Sequence, residues 1–117
     1  MITVDESSPV PPFEQIREQL GDLIRTGAME AGQRLPSIRQ LAGDLRVAAG
    51  TVARAYSELE AAGLLELSRA TGARVCPGHD VPENIRRAAA DFAAGARDQS
   101  LTLEEALGVV RAQWRQT

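Results

Sequence analysis

The chain has 117 residues, 44% of them hydrophobic and 25% charged, with a formal net charge of −3, a composition that fits one small globular domain or one such domain with an appendage. No apolar run approaches the roughly 20 residues that span a bilayer, and no basic N-terminus leads into an apolar run, so a soluble cytoplasmic protein without a membrane partner is expected. The single Cys76 excludes an internal disulfide, and one His with scattered carboxylates offers neither a catalytic constellation nor, with Cys76 and His79, more than half a tetrahedral metal site, so no enzyme, cofactor or metal is expected.

In chain order, residues 1–11 hold Thr, Asp, Glu, Ser and Pro with little to bury and read as a mobile or extended arm. Pro12 then opens a helix at a position where its missing N–H costs nothing. Phe13, Ile16, Leu20, Leu23 and Ile24 recur at helical spacing, and Gly27 supplies the stop. A loop through Gly32 and Pro36 leads to Ser37, which with Gln40 forms a capping-box start. The helix after it carries Ile38, Leu41, Ala42 and Leu45 on one side. A further helix follows at once, with Val52, Tyr56 and Leu59 inward and Thr51, Arg54, Ser57 and Glu58 on its other faces, and it stops at Ala61-Ala62-Gly63. Two short amphipathic helices around a tight turn make a helix-turn-helix.

After Gly63, Leu64-Leu65-Glu66-Leu67 and Arg74-Val75-Cys76 have strand character, with residues 68–73 as the turn between them and Arg69 and Arg74 at its tip. Pro77-Gly78-His79 breaks the chain. Two more helices are predicted beyond it. Asp80 and Glu83 form a capping pair ahead of Ile85, Ala88, Ala89, Phe92 and Ala96, and Thr102 and Glu105 form another ahead of Leu103, Ala106, Leu107, Val110 and Trp114, with residues 95–100 as the turn. Two helices of this length cannot enclose a ligand-sized cavity. They can bury their stripes against each other, against the first helix or against a second copy. Tyr56, Phe92 and Trp114 read as core or interface side chains.

All 13 basic residues are arginines, whose planar fork suits phosphate and guanine. The net acidity lies outside the helix-turn-helix and hairpin: residues 12–75 hold eight Arg and eight Asp or Glu. Arg39, Arg46, Arg54, Arg69 and Arg74 fall in the helix-turn-helix and hairpin, whereas Glu14, Glu18, Asp22 and Glu30 fall on or near the first helix. A neutral module can thus present a basic face.

The blocks Leu35-Pro36-Ser37-Ile38-Arg39-Gln40-Leu41-Ala42, Thr51-Val52-Ala53-Arg54-Ala55-Tyr56 and Leu59-Glu60-Ala61-Ala62-Gly63-Leu64 resemble the head of GntR-family transcription regulators, and the short C-terminal part is similar to that of their small YtrA-like subfamily. The resemblance implies a mainly α fold with a small β wing: a winged helix-turn-helix over residues 12–77, preceded by an arm at 1–11 and followed at 78–117 by an antiparallel helix pair for dimerisation. It also implies a short strand before Leu35-Pro36. The expected protein is a dimeric repressor of a (pseudo)palindromic operator, with double-stranded DNA and a second copy as partners and room for an unknown small-molecule effector. Its expected DNA-binding residues are Ser37, Arg39, Ala49, Gly50, Thr51, Arg54, Arg69, Thr71, Gly72 and Arg74. Dimerisation falls to Ile85, Ala89, Phe92, Leu103, Leu107, Val110 and Trp114. The chain departs from the family in carrying Ala48-Ala49-Gly50 where relatives usually place a polar pair, Ala53 where many have arginine, and Ala70 where glycine is usual in the wing. That bare tip and the net negative charge keep a second reading open, a winged-helix protein-interaction module that has lost sequence-specific DNA binding. An intramolecular pair between Arg39 and a carboxylate such as Glu66 is the corresponding alternative for that side chain.

Overall fold

The computed structural model describes residues 2–116. Along the chain run helix α1 (Pro12–Arg25), helix α2 (Ile38–Leu45), helix α3 (Ala49–Ala61), strand β1 (Leu65–Ser68), strand β2 (Gly72–Val75), helix α4 (Glu83–Asp98) and helix α5 (Leu103–Gln116). They fall into two compact units, one ending at Val81 and the other beginning at Pro82. The architecture is mainly α with a two-stranded β wing.

The core of the first unit is the product of the apolar periodicities. Ile16, Leu20 and Ile24 of α1 meet Val52, Ala55, Tyr56 and Leu59 of α3, and Leu41 and Ala42 of α2 close one side. Leu64, Leu65, Ala73 and Val75 of the hairpin close the other. Pro12 starts α1, and the Pro11 carbonyl accepts from the N–H groups of Glu14 and Gln15. At α2 the Ser37 hydroxyl accepts from the Gln40 N–H at 3.1 Å. Among the described residues the Gln40 side chain makes no return bond, so half of the expected capping box is formed. The turn into α3 is made by Arg46 at φ 57, whose N–H reaches the Ala42 and Gly43 carbonyls while the Val47 N–H also bonds Ala42.

Of the mobile or extended arm expected for residues 1–11, residues 2–10 take the extended alternative at their start and are tied to α1. Ile2 and Val4, two apart, turn the same way and pack against the core. The Gln19 side-chain amide brackets the backbone of Thr3, accepting from its N–H at 3.1 Å and donating to its carbonyl at 2.7 Å. Gln15 does the same to Asp5 at 2.8 and 3.0 Å and donates to Val10 as well. Two glutamines one turn apart on α1 thereby stand in for a partner strand. Asp5 then accepts from the hydroxyl and N–H of Ser7, bonds that hold its carboxyl below the usual carboxylate range.

In the wing, β1 and β2 pair antiparallel with Leu65 opposite Val75 and Ser68 opposite Gly72. The turn therefore shrinks to residues 69–71, with the Ser68 hydroxyl accepting from the N–H groups of Ala70 and Thr71. The segment before Leu35 adds a further rung: Arg34 bridges Arg74, the Leu35 N–H bonds Ala73, and the Val75 N–H bonds Gln33. The unit closes at Val81, whose N–H donates to the Arg25 carbonyl.

The second unit departs from the sequence reading in two respects. Asp80 does not cap α4; Pro82 takes that place, its fixed φ directing the chain into the helix while its carbonyl accepts from Ile85 and Arg86. Glu83 instead pairs with Arg86 on the surface. α4 also runs through Gly95 to Asp98, so the turn is confined to residues 99–102, with Ser100 at φ 60. Thr102 and Glu105 do form a reciprocal capping box, at 3.1 and 2.8 Å, and these bonds lower the Glu105 pKa. α4 and α5 are not among the closely packed element pairs. An open groove of about 380 Å³ lies between Phe92 of α4 and Val109, Val110, Gln113 and Trp114 of α5. Among the described residues of this unit only Ala96 and Ala106 are buried. No described helix is long and apolar enough to cross a membrane.

Candidate nucleic-acid interface

The helix-turn-helix leaves one side of α3 free. Val52, Ala55, Tyr56 and Leu59 face inward, while Ala48, Ala49, Gly50, Arg54 and Ser57 are exposed and Thr51 is half-buried. No side chain caps the helix at Ala48. Tyr56 fixes α3 against the approach to α2, its hydroxyl donating to the Pro36 carbonyl at 2.7 Å. The start of α2 and the wing then border a shared, largely apolar groove of about 480 Å³. Ser37 and Arg39 line it from α2; Ser68, Arg69 and Gly72 line it from the wing.

The arginines sort into two sets. Arg17 and Arg54 both pair with Glu58 at 3.3 Å, and the Arg54 guanidinium also lies 3.6 Å over the Phe13 ring. That contact is a cation–π interaction reinforced by an i,i+4 pair. Arg54 was expected on the reading surface, but the structure folds it back onto α1. By contrast, Arg34, Arg39, Arg46, Arg69 and Arg74 have no carboxylate within ion-pair distance among the described residues. The alternative pairing of Arg39 with Glu66 is not formed. A guanidinium without a carboxylate partner keeps its charge available to phosphate.

Arg74 also stands elsewhere than expected. It lies in β2 opposite Glu66 and not at the tip, and it donates to the Gly32 carbonyl at 3.1 Å, tying the wing to the preceding loop. The tip consists of Arg69, Ala70 and Thr71, all exposed. Arg34 was missed by the sequence reading. Its guanidinium lies against Gly72, 3.4 Å from where a Cβ would stand. The available signal was a short run, Gln33-Arg34-Leu35, bounded by Gly32 and Pro36 as strands are bounded. Gly72 sits at φ 74, so Gly72→Ala combines left-handed backbone strain with pressure on Arg34. A loss of about 1–2 kcal/mol in thermal or denaturant unfolding is expected.

Thus Ser37, Arg39, Arg69 and Gly72 converge on one groove, Thr71 is exposed in the wing turn, and exposed Ala49 and Gly50 with half-buried Thr51 form the start of α3. The family model described as bacterial regulatory proteins, gntR family, matches residues 12–75, the segment from the first residue of α1 to the last of β2. The chain belongs to the gntR family. Over 106 residues it is 40% identical to the HTH-type transcriptional regulator Rv1152 of Mycobacterium tuberculosis, covering 91% of this chain and 88% of that one. It is 42% identical over 72 residues to the HTH-type transcriptional repressor YtrA of Bacillus subtilis, 62% of this chain and 55% of that protein. Among solved structures, YtrA from Sulfolobus acidocaldarius, a GntR-family transcription factor, aligns with a TM-score of 0.62 at 33% identity over 80% of this chain and 97% of its own. This gntR-family member is accordingly a DNA-binding transcription regulator and not an enzyme.

Proposed function

We propose that the protein is a cytoplasmic homodimeric repressor that places α3 of each copy in successive major grooves of a (pseudo)palindromic operator. The observation that carries this reading is the sorting of the arginines. Among residues 34–74 the guanidiniums without carboxylate partners lie on α2, its C-cap, the wing and the segment bridged to it, whereas Arg17 and Arg54, where α1 meets α3, are paired with Glu58. Arg39 and Ser37 at the start of α2 hold phosphate or a guanine edge, Arg69 and Thr71 bring the wing to the adjacent backbone or minor groove, and Arg34 and Arg74 brace that wing. The uncovered stripes of α4 and α5 supply the pairing surface. Repression is the role named for the Bacillus subtilis relative, and a dimer seated on promoter DNA needs only to exclude polymerase.

The test is a shift assay on the DNA upstream of the gene across a salt series. Log affinity should fall against log salt with a slope of about −0.9 for each phosphate neutralised. Arg39→Ala should weaken binding roughly tenfold or more, the worth of one bidentate arginine contact. No retardation at low salt would overturn the reading in favour of a protein-docking role for the winged helix.

A further inference from the structure

The start of α3 carries almost no hydrogen-bonding side chain. Ala48, Ala49 and Gly50 are exposed, Val52 and Ala55 are buried, and Ala53 is half-buried. Arg54, the only cation on the helix, is held over Phe13 and tied to Glu58. Apart from the buried Tyr56, whose hydroxyl is spent on Pro36, the Thr51 hydroxyl is the one neutral polar side chain before Ser57. What this surface offers instead is methyl groups: the Cβ atoms of Ala48 and Ala49 and the γ-methyl of Thr51. Gly50 has open space where a Cβ would stand, so nothing at that position holds the helix away from an opposing surface.

Guanine and adenine present hydrogen-bonding edges in the major groove that call for arginine, asparagine or glutamine, whereas thymine alone among the four bases adds a C5-methyl group. We infer that the first turn of α3 reads thymine, by van der Waals contact between Ala48, Ala49 and Thr51 and the C5-methyl groups of one or two thymines in each half-site. This deepens the reading above and rests on α3 lying in the major groove. Hydrogen-bonded base choice then falls to Arg39, and the wing arginines engage backbone or the minor groove. Each operator half-site has an A·T step where α3 enters.

The experiment begins with the full-length protein and duplexes it selects from a random-sequence pool. In the tightest duplex, thymines are replaced by deoxyuridine one at a time, which deletes the methyl and preserves every hydrogen-bonding group. The expected result is a Kd about fourfold higher for each contacted methyl, at one or two positions per half-site. With Ala49→Gly, the ratio of deoxyuridine to thymine Kd should fall towards one at the position facing residue 49. Equal affinity for the thymine and deoxyuridine duplexes would overturn the inference while leaving DNA recognition intact. So would selected half-sites whose central guanine preference disappears in Arg54→Ala, since Arg54 would then have left Phe13 to read the groove. Failure to select any duplex at low salt would overturn both this inference and the reading on which it rests.

Discussion

Replacing Leu103 and Leu107 together with aspartate is expected to leave a monomer whose affinity for a full palindromic site is lower by two orders of magnitude or more. Leu103 and Trp114 are 75% and 79% exposed, and Ile85, Phe92, Leu107, Val109 and Val110 are exposed beside them. Ala89, named from the sequence for the same face, is exposed too. Within one copy these side chains keep a large share of their surface exposed, and among the described residues of their unit only two alanines are buried. A helix pair with so small a core is not stable by its own burial, and a symmetric second copy presents the same stripes in complementary order. Seven large apolar side chains on each copy are of the order needed for the roughly 800 Å² per partner of a standard interface. Joining two heads converts the second half-site contact into an intramolecular step, which is where a gain of about 10²–10⁴ arises. Sedimentation should show the change of mass, and a shift assay the loss of affinity. The core of the first unit contains neither leucine, so its cooperative melting should persist. A double variant that still sediments as a dimer would refute this pairing surface.

The sequence made the first unit legible because its helices are short, amphipathic and punctuated. Ile16, Leu20 and Ile24, or Val52, Tyr56 and Leu59, have one possible inward face, and Ser37, Gly27 and Gly63 mark ends that propensity alone would blur. What escaped depends on elements distant in sequence. Arg54 lies on an outward face by periodicity, and only the placement of Phe13 on a different helix decides that its guanidinium turns back. Arg34 looked like loop because its partner, Arg74, comes 40 residues later. Gln15 and Gln19 carried no signal at all: a polar residue on a helix flank announces nothing until a backbone segment lies alongside it. Local rivalry explains the Asp80 error. Asp80 and Pro82 compete to start the same helix, and proline wins because its fixed φ is already compatible with the entry. The exposure of the α4 and α5 stripes was hidden for a related reason, since an apolar stripe declares that it will be covered without naming what covers it.

Tyr56 is where the largest loss of stability is expected. The ring is 1% exposed among Val52, Leu59 and the hydrophobic residues of α1 and the hairpin. Its hydroxyl is satisfied by the Pro36 carbonyl, one residue before the Ser37 cap, so one bond ties α3 to the entrance of α2 and to the groove both border. Tyr56→Phe keeps the packing and strands that carbonyl, at a cost of about 1–2 kcal/mol. Tyr56→Ala adds a cavity and should cost about 3–5 kcal/mol, enough to unfold a small domain of ordinary marginal stability. Burial also pushes the phenol from its ordinary 10.0 up to about 12, because the charged phenolate is poorly solvated there. The native state thus holds the proton more tightly than the unfolded chain does. The stabilisation is complete below about pH 10 and is lost as the pH climbs towards 12. As the chain has a single tyrosine, phenolate absorbance follows this site alone. In the wild type it should appear together with loss of helical circular dichroism. Tyr56→Phe should start from a lower melting temperature, yet lack this phenol's contribution to the fall in stability above pH 10. A phenol that ionises near pH 10 with the helices intact would mean that the ring is open to water, and the link between α3 and the entrance of α2 would have to be sought in other contacts.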